Sequence, residues 1–233
     1  MRNKITKPLI LLSGGVDSTT ALCQAVSNLE KVSAVSFDYG QRHRKELESA
    51  KSICNLLSIQ HTVLDLKGAF AAFKKSALTG NGDVPYGHYE DNSMKKTVVP
   101  NRNMILLSLA TGVAISNGID QVVYAAHAGD HAIYPDCRPE FYTAVASAVK
   151  AGNYDPPELK APFIEMTKAD IVKVGEKLGV PFRKTWSCYE GGEVHCGRCG
   201  TCQERRAAFI EAGVKDPTLY DPEGLIEVPE VRM

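Results

Sequence analysis

Two stretches of this 233-residue chain hold residue types at spacings that can do chemistry. The first is LILLSGGVDSTTALCQA, residues 9–25. Its apolar run stops at Ser13, two glycines follow, and Asp17, Ser18 and Thr19 open what reads as a helix. A strand-to-helix turn of this kind gathers unpaired backbone N–H groups at the positive end of a helix dipole, a setting that suits phosphate. Gly14 and Gly15 let the backbone approach oxygen atoms closely and take up positive φ. Ser13, Ser18 and Thr19 add hydroxyl donors. A carboxylate is out of place beside phosphate unless it holds a magnesium ion or caps the helix, and Asp17 stands at the helix start in either case. The turn is not a Walker A loop, which needs a lysine before its last Ser/Thr. Nor is it a dinucleotide fingerprint, which needs a third glycine.

The second stretch, CYEGGEVHCGRCGTC, carries Cys188, Cys196, Cys199 and Cys202. Three thiolates separated by two residues each can turn inward from a knuckle, and the fourth arrives from the preceding loop. Tetrahedral zinc with four sulfur ligands is the natural occupant, and an iron–sulfur cluster is its rival. A closed four-ligand site leaves no position for water, so its role would be structural. His195, beside Cys196, is awkwardly placed to replace a thiolate. Cys23 and Cys54 fall in helical patterns and read as core residues, and Cys137 stands apart in a loop.

Four further clusters sit where strands should end. In SFDYGQRHRKELESA, Phe37 to Gly40 closes a strand where a base or ribose could rest, and Gln41, Arg42 and His43 offer donors, unless this is only a solvated helix start. VVPNRNMILL puts Arg102 at the front of a helix, where an anion would be held. AAHAGDHAIYPDCRPEFY offers His127, Asp130 and His131 as a second metal set. Polar recognition of a flat heterocycle, with Tyr134 stacking, is the preferred reading there. Lys168, in PFIEMTKADI, would aim its ammonium at phosphate, or else is a surface lysine.

Elements must place these groups. Pro8 to Leu12, Val32 to Phe37, Thr62 to Leu66 and Gln121 to Ala125 are rich in branched apolar residues without strict alternation, the mark of strands buried on both faces of a parallel sheet. Helical faces run through Ala21, Leu22, Ala25 and Leu29, and through Leu47, Ala50, Cys54 and Leu57. Residues 103–116 are apolar nearly all round and predict a buried helix. Residues 167–178 predict another, with Thr167 as N-cap and Gly179-Val180-Pro181 as its stop. The alternation predicts an α/β fold, doubly wound on a mostly parallel sheet with right-handed crossovers. A nucleotide-binding domain over 1–185 would carry a long turn-rich insertion at 67–100, read as a lid or partner contact. A small metal-stapled subdomain with one short helix would follow at 186–233.

Bulk composition narrows the function. Acidic and basic residues balance at 27 each, so no global field draws nucleic acid or an anionic membrane. No apolar run approaches a membrane span, and the N-terminal stretch is too short for a signal peptide. Seven cysteines, four of them crowded together, make a poor disulfide framework and a good metal site, which places the chain in a reducing cytoplasm.

The S-G-G-x-D-S turn after an apolar strand resembles the PP-loop of the ATP pyrophosphatase superfamily, whose fold is adenine nucleotide alpha hydrolase-like. LSGGVDSTT, FDYGQRHRKEL, VPNRNMILLS, YPDCRPEF, PFIEMTKADI and WSCYEGGEVHCGRCGTCQERRAAF, in that order over residues 12–209, are together similar to the 7-cyano-7-deazaguanine synthase (QueC) family. Asn101 stands where the family usually has glycine, and HAGDHAI before Tyr134 also departs from its pattern.

The resemblance implies that ATP activates the carboxylate of 7-carboxy-7-deazaguanine, ammonia gives the amide, and a second activation dehydrates it to the nitrile of the queuosine precursor. It implies that Leu12, Ser13, Gly14, Gly15, Val16, Asp17, Ser18 and Thr19 bind ATP, with Asp17 as the magnesium contact and Lys168 at the phosphates. Arg42, Arg102, Asp136 and Arg138 are then candidates for the deazaguanine and its carboxylate. Cys137 would contact substrate or merely pack, and the four clustered cysteines would hold a structural zinc. The partners expected are small molecules and a second copy of the chain in a homodimer, with no nucleic acid and no membrane. A PP-loop ligase or thiolase acting on another carboxylate or on tRNA is the alternative, and a zinc-knuckle nucleic-acid binder a more distant one.

Overall fold

The computed structural model describes residues 6–28, 30–73, 76–79, 84–86 and 92–226. Five strands, β1 (Pro8–Leu11), β2 (Ser33–Asp38), β3 (Gln60–Asp65), β4 (Gln121–Val123) and β5 (Glu158–Lys160), form one parallel sheet in the order β3-β2-β1-β4-β5. Successive residues of a strand face opposite sides. Leu9 therefore joins a core with Phe37, Val122 and Leu159, while Ile10 joins another with Ala34 and Val123. Both faces demand apolar residues, so the β1 sequence cannot alternate.

Helices α1 (Val16–Ser27), α2 (Lys45–Leu57), the single turn α3 (Lys67–Phe70), α4 (Arg102–Ser116), α5 (Pro139–Ala151), α6 (Lys168–Lys177) and α7 (Gly200–Ala212) supply the covering layers. One face is covered by α4 and α5 through Leu107, Ala110 and Val145. The other is covered by α1, α2, α6 and α7 through Leu22, Ile53, Ile171 and Phe209. No helix among the described residues is long and apolar enough to cross a membrane.

Several expectations need correction. The β3 strand is not buried on both faces: it ends the sheet, and Val63 is 48% exposed. Nor is α4 buried all round. It covers the sheet with one side only and leaves Leu109 and Ile115 more than a third exposed. The segments α5 and β5 were not expected. A three-residue strand is too short to carry a pattern, whereas Pro139 at the first helical position and the alanines after it were a legible helix start. Of the apolar face expected on α1, Leu29 lies outside the described residues.

The two unusual regions meet each other. From the long insertion, Val84 packs on the four clustered cysteines, and Tyr86 forms an antiparallel bridge with Cys199. Residues 74–75, 80–83 and 87–91 of that insertion lie outside the described residues. The one short helix expected after residue 186 is α7, which begins at Gly200 and holds Cys202 in its first turn. It places Ala208 and Phe209 in the second core, with Phe209 edge-on to Phe182 at 4.9 Å.

Strand order reverses between β1 and β4, and in open parallel sheets a ligand crevice opens beyond the carboxyl ends at that point. Both chemistry-bearing stretches reach it.

Candidate active site and metal centre

A cleft of about 240 Å³ opens at the carboxyl ends of β1, β2 and β4. Its floor is the turn from β1 into α1. Gly14 has φ +86°, and a Cβ there would lie 2.3 Å from the Glu46 carbonyl oxygen, so only glycine fits between α1 and α2. The Gly14 carbonyl accepts from Trp186 N–H at 2.9 Å and Ser49 Oγ at 3.0 Å. Gly15 is the N-cap of α1 and offers no side-chain acceptor, which leaves the first N–H groups of that helix for a ligand. Ser18 Oγ accepts from Ser13 N–H at 3.2 Å and lies 3.0 Å from Ser13 Oγ, and these bonds fix the turn. Of the eight residues expected to bind ATP, Leu12, Ser13, Gly15, Val16, Asp17 and Ser18 line the cleft. Thr19 is buried beneath it.

Lys168 reaches this turn from the start of α6, which packs beside α1 on the same face of the sheet. Thr167 and Asp170 form a capping box at the start of α6, which aims the Lys168 side chain into the cleft. Its Nζ donates to Asp17 Oδ2 at 2.8 Å and lies 3.1 Å from Glu204 Oε2. His127 closes the group. Its Nδ1 accepts from Gly129 N–H, and its Nε2 lies 3.9, 3.6 and 3.7 Å from carboxylate oxygens of Asp17, Asp130 and Glu204. Burial alone would lower the Lys168 pKa, but Asp17 and Glu204 more than reverse it and hold the ammonium charged. Burial raises the Asp17 carboxyl, and Lys168 with His127 outweighs it, so Asp17 stays ionised below the usual carboxylate range. Glu204 moves the other way, because its burial dominates. Asp17 Oδ1 has no hydrogen-bond partner among the described residues. A bare carboxylate oxygen beside the phosphate turn fits a hard cation such as magnesium.

Glu204 escaped the sequence reading. Its one signal was its place in α7 two residues after Cys202, and only the packing of α7 on α6 turns it toward Lys168. His131 is not in this group, so the alternative reading of His127, Asp130 and His131 as a second metal set finds no support among the described residues.

The other half of the cleft is aromatic and basic. Arg102, at the first position of α4, lies against the Tyr39 hydroxyl. Cys137 lines the same wall, and its Sγ accepts from Asn103 Nδ2 at 3.3 Å. Burial raises its thiol well above the ordinary value, so it stays protonated. Asp136 Oδ2 accepts from Asn103 N–H at 3.1 Å and thereby caps the front of α4. Neither Arg42, which is exposed, nor Arg138, whose Nε donates to the His131 carbonyl at 2.8 Å, is among the residues lining the cleft. Tyr134 does not stack there either: it is buried, with its hydroxyl 2.6 Å from Thr97 Oγ1. Trp186 and Tyr189, on either side of Cys188, form the aromatic wall instead. Asn101, at the N-cap of α4, has φ 56°. That left-handed backbone explains why glycine is usual there and why asparagine, which tolerates it, can stand in its place.

The four clustered cysteines are all buried, and their sulfurs lie within 4.8 Å of one another. Cys196 Sγ and Cys202 Sγ are 3.9 Å apart. Tetrahedral zinc bonds of about 2.3 Å place sulfurs about 3.8 Å apart, so the donor set could hold a metal ion such as zinc. Backbone N–H groups of Cys196 and Cys199 donate to Cys188 Sγ and Cys196 Sγ, as thiolate ligands require. His195 is turned away: its Nε2 accepts from Ser187 N–H at 3.0 Å and its ring packs on Trp186. Burial lowers its pKa to about 4.

Comparison with known proteins agrees with this arrangement. Residues 7–213 match the model of the family described as queuosine biosynthesis protein QueC. The chain is 52% identical over 218 residues to 7-cyano-7-deazaguanine synthase of Caldicellulosiruptor bescii, covering 93% of this chain and 98% of that protein. It is 49% identical to 7-cyano-7-deazaguanine synthase 1 of Colwellia psychrerythraea, covering 92% and 99% of the two chains. The corresponding protein of Archaeoglobus fulgidus is 49% identical, with 93% and 91% covered. This chain belongs to the QueC family of queuosine biosynthesis proteins.

Proposed function

We propose that this protein is an ATP-dependent 7-cyano-7-deazaguanine synthase. ATP adenylates the carboxylate of 7-carboxy-7-deazaguanine, ammonia displaces the nucleotide to give the amide, and a second adenylation dehydrates the amide to the nitrile. The observation that carries this is the placement of Lys168 Nζ 2.8 Å from Asp17 at the mouth of an uncapped helix N-terminus. A carboxylate oxygen is a poor leaving group and an adenylate a good one, so catalysis requires a grip on the departing phosphates more than a nucleophile. Backbone N–H groups of α1 and the Lys168 ammonium stabilise the charge that develops there. Holding two substrates in one cleft supplies much of the remaining acceleration.

Residues 12–19 bind the nucleotide in this reading, with Asp17 Oδ1 open toward a magnesium ion. When bound, magnesium would neutralise triphosphate charge. Arg102 is the best placed partner for the substrate carboxylate, since it lines the cleft beside Tyr39. Asp136 acts behind it through Asn103, and Arg42 and Arg138 need substrate-driven movement to reach the cleft. Zinc on the four cysteines keeps the Trp186–Tyr189 wall in place. A homodimer in a reducing cytoplasm completes the reading, supported by Leu109 and Ile115 on the outer side of α4 and by seven free thiols.

The test supplies the purified protein with ATP, ammonium and 7-carboxy-7-deazaguanine and looks for the nitrile by mass spectrometry. The nitrile should form only when all three are present. Consumption of ATP with a different acid, and none with this one, would overturn the reading.

A further inference from the structure

Ammonia attack and amide dehydration both take protons from nitrogen, and they need an acceptor inside the cleft. The groups around Lys168 are tied into ion pairs. At the start of α2 a different arrangement stands. His43 is 4% exposed and lines the cleft. Its Nε2 lies 3.1 Å from Glu46 Oε2. Glu46 Oε1 in turn accepts from Gln41 Nε2 at 2.8 Å, and Gln41 is held by the Phe37 carbonyl and the Tyr39 N–H. The carboxylate is thus fixed, and it assigns the imidazole proton to Nε2.

Nδ1 then carries a bare lone pair, and no described residue donates to it. A buried acceptor without a donor costs about 1–3 kcal/mol, and on a ring that lines the cleft it points to a donor on the ligand. The position suits the reaction. The first turn of α2 presses on the phosphate turn, where Gly14 leaves no room for a Cβ against the Glu46 carbonyl. Tyr189 packs on the His43 ring, with centroids 5.2 Å apart.

We propose that His43, oriented by Glu46, is the base that takes protons from the reacting nitrogen, first from ammonia and then from the amide. This deepens the synthase reading and rests on it. In the first step nitrogen bonds to the acyl carbon, the carbon–oxygen bond to AMP breaks with its electron pair leaving on phosphate, and one N–H proton passes to Nδ1. In the second, the amide oxygen displaces pyrophosphate from ATP and then leaves carbon as AMP. The carbon–nitrogen triple bond completes as both N–H protons depart in turn through Nδ1 to water. Besides Glu46 and Tyr189, the titratable groups at this end of the cleft include Tyr39, Arg102 and Cys137, and the Tyr134 hydroxyl lies 3.3 Å from that of Tyr189. Burial raises the Tyr39 hydroxyl to about 12 and the Tyr189 hydroxyl well above its ordinary value, so both stay neutral at working pH.

Two partial reactions of the metal-loaded protein test this. ATP–pyrophosphate exchange with 7-carboxy-7-deazaguanine and no ammonia reads activation alone, and nitrile formation from 7-amido-7-deazaguanine with ATP reads proton removal. His43→Gln should keep exchange within about threefold of wild type, slow amide dehydration about 100-fold and lose the low-pH limb of its rate profile. Glu46→Gln should slow dehydration less than His43→Gln does, since the imidazole stays but loses the carboxylate that orients it. Dehydration by His43→Gln at the wild-type rate would overturn the proposal, as would equal loss of exchange and dehydration, the sign of a structural residue. Wild type that gives neither exchange nor nitrile removes the synthase reading, and this proposal with it. Wild type that exchanges while His43→Gln matches it in dehydration removes this proposal alone.

Discussion

Lys168 Nζ lies 2.8 Å from Oδ2 of Asp17, although 151 residues separate the two in the chain. The pair joins the phosphate turn after β1 to the helix start after β5, and it spans the crevice where a nucleotide tail would lie. Lys168→Met should lower turnover about 100-fold or more, the usual effect of removing one transition-state donor. It should also lower the melting temperature, because Asp17 and Glu204 would remain buried without their cation. Adding Asp17→Asn should restore part of the melting temperature and none of the activity. Thermal melts beside steady-state kinetics separate the two effects.

Glu204 connects the cysteine knuckle to that pair. Glu204→Gln keeps the shape but loses the charge that holds Lys168. It should cost about tenfold in kcat, on the scale of one charge-assisted hydrogen bond, with Glu204→Asp intermediate. Metal content per chain should stay unchanged, which atomic absorption can check.

Arg205 is fully buried, and both oxygens of Asp216 lie 3.3 Å from its Nε. Burial raises the Asp216 carboxyl, but Arg205, Tyr220 and Thr218 together hold it below the ordinary carboxylate range. The stability it contributes is therefore present above the unfolded carboxyl pKa and lost as pH falls through the lowered folded value. Asp216→Asn should cost about 3 kcal/mol at neutral pH by leaving the guanidinium uncompensated. The gap to wild type should narrow below about pH 4, where urea unfolding at several pH values would reveal it.

Metal removal should reach the nucleotide. The segment that carries Cys188 also carries Trp186 and Tyr189, and Trp186 N–H holds the Gly14 carbonyl. Cys199→Ser, or chelation under reducing conditions, should abolish bound metal, lower the melting temperature and weaken ATP binding in calorimetry. Unchanged ATP affinity in a metal-free, folded protein would show that the knuckle does not shape the cleft.

Gly14→Ala should fail for two local reasons, a left-handed φ and a Cβ driven into the Glu46 carbonyl. The expected outcome is loss of ATP binding together with a lower melting temperature.

What the sequence determined is what local chemistry determines. Two-sided burial wrote β1 as an unbroken apolar run, the phosphate turn required its glycines, and three thiolates at two-residue gaps with Cys188 just before them marked a metal site. Thr167 and Asp170 set the start of α6 from within four residues. The tertiary structure decided everything that depends on which elements become neighbours. Strand order alone could not make β3 an edge or leave half of α4 outside. Only the packing of α7 on α6 brings Glu204 to Lys168, and only the descent of the segment around Cys188 into the cleft makes Tyr189, and not Tyr134, its aromatic wall. Hydrogen bonds along one turn of chain are fixed by spacing. Contacts between residues a hundred or more positions apart are fixed by the buried apolar surfaces that choose the packing, and no single stretch of sequence carries that choice.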